Sequence, residues 1–147
     1  MLKLDAELFT SGRSRFSDRV PGSLDPTAKV YVKIKLGGLE RTLLAQLDTG
    51  AAWSVLESDV AAELGLLNRV DEEKKRLLTP LGMREGHLVR LPFALVADEG
   101  DSLHTEGVFF VCGDWPLDLT FLGYSGLLDR IRFALDPQAN HFYFGSS

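Results

Sequence analysis

Hydrophobic and polar residues alternate most clearly between Lys29 and Leu36, where Val30, Val32, Ile34 and Leu36 are separated by Tyr31, Lys33 and Lys35. A period of two predicts a half-buried strand, because successive side chains point to opposite faces. Gly37-Gly38 follows as a hairpin signal, and Leu39 to Leu47 is the returning partner. Asp48-Thr49-Gly50 interrupts the apolar run, which resumes from Trp53 to Leu56. Ser58 is placed to cap a short helix, with Asp59 in its first turn, Val60, Ala61 and Leu64 on one face, and Gly65 as its stop.

Beyond the helix, Asn68 to Lys75 is charged and reads as exposed, with Asp71 to Arg76 as a solvated turn. Arg76 to Thr79 predicts a strand, Pro80-Leu81-Gly82 a turn, and Met83 to Arg90 the returning strand. Leu91 to Ala97 continues as strand, with Pro92 marking a bend or an edge. Val108 to Cys112 is a compact strand and Gly113-Asp114-Trp115-Pro116 ends it. Leu119 to Leu122 is a buried run and Leu127 to Arg130 one helical turn. Ile131 to Leu135 and His141 to Phe144 make a last hairpin around Asp136 to Asn140. Residues 1–26 read as an extended N-terminal arm with one short strand, Glu7 to Thr10, ahead of a domain spanning 27–147. Short strands, frequent turns and one or two short helices predict an all-β barrel or sandwich. The apolar Phe142-Tyr143-Phe144 tail is assigned to the core in preference to an interface.

The chain has 147 residues, enough for one domain with one core. A net charge of −5 argues against a nucleic-acid partner, which calls for a basic patch. One cysteine, Cys112, excludes an internal disulfide. The opening residues lack the apolar stretch of a signal peptide, and no apolar run reaches membrane-spanning length, so a cytoplasmic protein without a membrane partner is expected. His87, His104 and His141 are scattered, so neither a zinc site nor any other metal or cofactor is expected, and His87 and His104 are assigned to exposed strand faces. Cys112 reads as a small buried apolar residue, with a thiol nucleophile as the rival. Trp53 reads as core, Trp115-Pro116 as a stiff loop, and Asp136 as turn chemistry.

That leaves Asp48. The simplest reading of Asp-Thr-Gly is a turn in which Asp caps its own backbone and Gly supplies a positive φ. The flanks suggest more. Leu47-Asp48-Thr49-Gly50-Ala51 followed by Ser54-Val55-Leu56 resembles the active-site strand and loop of retropepsin-like aspartic peptidases. Two further landmarks are similar to that family. A hairpin flap falls about 30 residues on, at Leu78 to Met83, with Thr79, Pro80, Leu81 and Gly82 at its tip. An apolar-apolar-Gly segment falls at Phe121-Leu122-Gly123, with Leu127 to Arg130 as the short helix after it.

The resemblance implies a closed acid-protease barrel and an aspartic endopeptidase acting on peptide or protein substrates. One loop in a chain of this length implies a homodimer, in which two copies of Asp48 meet across a two-fold axis. Two adjacent carboxyls share a proton, so one can activate water while the other donates to the peptide carbonyl. Thr49 would tie the two loops together, Gly50 and Ala51 would support the loop, and the flap would exclude water. The sequence departs from retroviral members at Ala52 and Tyr124, where those carry an acid and an arginine, and in a flap stiffened by Pro80. These departures keep a rival open: a binding or scaffolding module of the same fold that cleaves nothing.

Overall fold

A computed structural model describes residues 1–19, 23–25, 27–68 and 74–147. In chain order the elements are β1 (Lys3–Leu4), β2 (Glu7–Leu8), β3 (Gly12–Arg15), β4 (Val30–Leu36), β5 (Leu43–Leu47), β6 (Ser54–Leu56) and α1 (Ser58–Glu63). There follow β7 (Lys75–Thr79), β8 (Gly82–Leu95), β9 (Glu99–Gly100), β10 (Leu103–Val111), β11 (Thr120–Leu122), a 3₁₀ turn (Leu128–Arg130), β12 (Ile131–Asp136) and β13 (His141–Ser146). The fold is all-β, with one short α-helix among the described residues. No helix of the described residues is long and apolar enough to cross a membrane.

The largest sheet closes on itself. Its strands run β10-β6-β11-β5-β4-β8, and β8 pairs back onto β10, so the hydrogen bonding forms a ring with β7 hanging from β8. The alternation of β4 has the foreseen cause: Val32, Ile34 and Leu36 are buried and Lys35 is exposed. Tyr31 departs from it and is buried, because Ser17 lies alongside and exchanges backbone hydrogen bonds with it at 2.8 and 3.0 Å. Gly38 makes the β4–β5 turn at φ +89°, which suits glycine.

β6, β11 and the Phe109-Phe110-Val111 end of β10 are buried on both faces, as their largely apolar sequences require. Phe109, Leu56 and Leu122 face the main core with Ile34, Leu36, Leu95, Phe142 and Phe144. Their neighbours Phe110, Val55 and Phe121 face the opposite way, into a second cluster with Cys112 and Trp115. Phe142 and Phe144 are fully buried, so the C-terminal aromatic strand does serve the core.

The second sheet runs β12-β13-β3-β9 and joins the two ends of the chain. β3 was not expected as a strand, and the foreseen Glu7 to Thr10 strand is the two-residue β2, hairpinned with β1. Two further expectations fail locally. Ser58 does not cap α1: Glu57 holds the N-cap position, and the Ser58 hydroxyl donates instead to the carbonyls of Cys112 (3.2 Å) and Trp115 (3.1 Å). His87 is buried, because it sits opposite Val111 where β8 and β10 pair, whereas His104 is exposed as expected. The β8 strand runs straight through Pro92, whose carbonyl accepts the Gly37 amide at 2.9 Å. Asp71 to Glu73, within the charged turn, and Pro21 and Pro26 of the arm lie outside the described residues.

Candidate functional site

β5 ends in Asp48, and β11 fixes where it ends. β11 lies parallel to β5, with Thr120, Phe121 and Leu122 opposite Ala45, Gln46 and Leu47, and it also pairs with β6 through Phe121 and Val55. The segment therefore passes between the strands on either side of the Asp48 loop. The Leu122 carbonyl accepts the Asp48 amide at 2.9 Å, and the Ala51 and Ala52 carbonyls accept the amides of Tyr124 and Ser125, both at 2.8 Å. Gly123 donates its amide to the buried Ser54 hydroxyl at 2.8 Å. A Cβ on Gly123 would sit 2.3 Å from the Trp53 carbonyl carbon, so only glycine fits that crossing.

Within the loop, the Gly50 amide donates to Asp48 Oδ1 at 3.0 Å and the Ala51 amide to the Asp48 carbonyl at 3.2 Å. Asp48 does cap its own backbone. Gly50, however, is not among the residues with positive φ; what it provides is close approach, since a Cβ there would lie 3.3 Å from Asp48 Oδ1. The Asp48 side chain is half-buried, Thr49, Gly50 and Ala52 are exposed, and Ala51 is buried beneath them. The acid is thus held by backbone hydrogen bonds on a surface loop, with the neighbouring Thr49, Gly50 and Ala52 exposed.

Thr79 to Gly82 form the tip of a separate hairpin. The buried Thr79 hydroxyl donates to the Gly82 carbonyl at 2.7 Å and accepts the Leu81 amide at 3.2 Å, and Gly82 takes φ +94°. Leu78, Leu81 and Met83 are exposed around it. Leu77 turns the other way and packs on the Trp115 cluster.

Cys112 is buried, and burial, helped by Asp114, pushes its thiol up to about 11. It is poorly suited to act as a thiolate at neutral pH. Among the described residues no group of three or more His, Cys, Asp or Glu is arranged to hold a metal ion. Four contributors escaped the sequence reading: Ser54, Glu57, Thr120 and Arg84. Ser54 was taken only as strand, although a hydroxyl in an apolar run signals a buried acceptor or donor. Glu57 and Thr120 form a reciprocal pair, the Glu57 amide donating to Thr120 Oγ1 and that hydroxyl to Glu57 Oε1, each at 3.3 Å. Arg84 binds Asp114 across 30 residues of sequence, a link no local pattern announces.

No protein-family model matches the chain, and no curated protein does. Among solved structures it is similar to a retropepsin-like aspartic protease from Rickettsia conorii, with a TM-score of 0.59 at 22% identity, over 92% of each chain. The likeness identifies the fold: the chain adopts a retropepsin-like arrangement of strands.

Proposed function

We propose that this protein is an aspartic endopeptidase whose working form is a homodimer, with the Asp48 carboxyls of two protomers side by side. The observation that supports it best is the Asp48 loop, where a half-buried carboxylate is fixed by the Gly50 amide on a backbone stitched to the Gly123 segment. Such an acid needs no rearrangement before it acts. The fold shared with an aspartic protease adds support.

One chain supplies one such loop, so a water-activating pair calls for a second copy. A two-fold axis beside the exposed Thr49 and Gly50 would set each acid against its twin. The pair would hold one proton between them. The ionised member takes a proton from water as it attacks the peptide carbonyl, and the protonated member donates to the carbonyl oxygen. The newly protonated acid then passes its proton to the amide nitrogen, the other acid takes one back from the diol, and the C–N bond breaks to release an amine and a carboxylic acid. These steps use only these two groups, so neither metal nor cofactor is required. Thr49 lies beside the acid, where its hydroxyl can reach across the axis. The hairpin tip at Thr79, Pro80, Leu81 and Gly82 would close over the peptide, and exposed Leu78, Leu81 and Met83 favour substrates with apolar side chains.

The test is Asp48→Asn, assayed with an unfolded protein substrate alongside sedimentation of the wild type. The expected result is loss of cleavage by at least about a hundredfold, with an unchanged melting temperature and a wild type that dimerises. Cleavage that survives the substitution overturns the assignment. A wild type that cleaves nothing and stays monomeric at high concentration favours the non-catalytic module, with Asp48 serving only its own turn.

A further inference from the structure

The hairpin of β7 and β8 reaches beyond the ring. β10 pairs with β8 only from Leu95 back to His87, so Gly82 to Gly86 pair with β7 alone. Close to the tip, the facing pair Leu77 and Arg84 meets the segment that follows β10. Leu77 packs against the cluster containing Cys112 and Trp115. Arg84 Nη1 donates to Asp114 Oδ2 at 3.1 Å and to the Asp114 carbonyl at 3.3 Å. With burial, the Asp114 carboxylate also helps to raise the Cys112 thiol. One pair further out, Leu78 and Met83 lie on the opposite face and are 71% and 53% exposed. The hairpin changes from anchored to free within one step of its ladder.

We propose that Arg84 is a positioning residue that latches this hairpin to the loop at Asp114, and that parting of the Arg84–Asp114 pair releases the tip. Two features suit a latch better than a fixed strut. The Asp114 side chain is 67% exposed, so water competes for it and salt screens it. Arg84 Nε is buried without a hydrogen-bond partner among the described residues, so the closed position leaves one donor unsatisfied, a cost that opening removes. The consequence for substrate entry rests on the peptidase reading above; the motion itself does not.

Hydrogen exchange of the full chain, followed by mass spectrometry, reads the motion without substrate. Arg84→Gln and Asp114→Asn should each speed exchange across residues 76–84 about two- to fivefold, the range of an exposed ion pair. The amides of β4 should not change, and the double variant should exchange no faster than either single one. Molar salt should speed the wild type and leave the variants alone. Unaltered hairpin exchange in both single variants, additive effects in the double, or equal acceleration in β4 overturns the latch. If the wild type cleaves peptides, the variants should shift KM more than kcat, and a change in kcat alone counts against it. If the wild type cleaves none, the peptidase reading fails while exchange still decides the latch.

Discussion

The Asp48 amide donates to the Leu122 carbonyl at 2.9 Å, so the residue before Gly123 sets the position of the acid. Loop and crossing segment form one unit, and damage to either moves both.

The sharpest consequence concerns Gly123. Its Cβ would meet Trp53 backbone at 2.3 Å and the Ser54 nitrogen at 2.7 Å, atoms that no rotamer change can move aside. Gly123→Ala should cost about 3 kcal/mol in urea unfolding. Gly65→Ala is the control: it meets nothing within 4 Å and strains only a φ of +71°, costing about 1 kcal/mol.

Burial holds the Glu57 carboxyl above its usual range; the Thr120 hydroxyl opposes this, and Asp118 and Asp59 add to it. An acid raised on folding contributes stability that is present below its unfolded value and lost as pH rises through its folded one. Glu57→Gln keeps the carbonyl that accepts from Thr120 and removes the charge. The variant should therefore be more stable than the wild type at pH 7, with the gap narrowing as pH falls through the raised folded value and closed once pH is below about 4.5, the ordinary value for Glu. Denaturant melts at pH 4 and pH 7 check the sign.

With its thiol near 11, Cys112 should be almost wholly protonated at pH 8. Iodoacetamide should leave the folded protein unmodified under conditions that alkylate it fully in denaturant, as mass spectrometry will show. Rapid labelling of the native chain, with any hydrolytic activity lost in step, would favour a thiol mechanism.

Thr79→Val preserves shape while removing both hydroxyl bonds at the hairpin tip. The change should cost about 1 kcal/mol locally, visible as faster exchange of the Leu81 amide, with the midpoint of global unfolding little altered.

What could be read from the sequence followed from where burial rests on large side chains. The alternation in β4 and the runs Phe109-Phe110-Val111 and Phe121-Leu122 announce themselves through bulk, and the hairpin tip through the turn chemistry of Pro80-Leu81-Gly82. β3 does not. Its inward positions are Ser14 and Gly12, the latter with no room for a Cβ because Phe144 and the Asp101 carbonyl fill that space, and its outward ones are Arg13 and Arg15. The first half of β10 was missed for a related reason: Leu103 to Gly107 carries polar residues and becomes a strand through β8 beside it. Asp48 stood out because a charged group between apolar strands is unusual. Ser54 and Arg84 did not, because their partners, Gly123 and Asp114, lie far along the chain.

The pairing of β3 with β13 has a bearing on assembly. Gly12 to Arg15 and His141 to Phe144 already satisfy one another inside a single molecule. A twin arriving from solution would dock against a finished body, with no need to trade terminal segments. In the proposed homodimer, association without such an exchange would be governed by dilution, so protein abundance would set how much of the paired form exists.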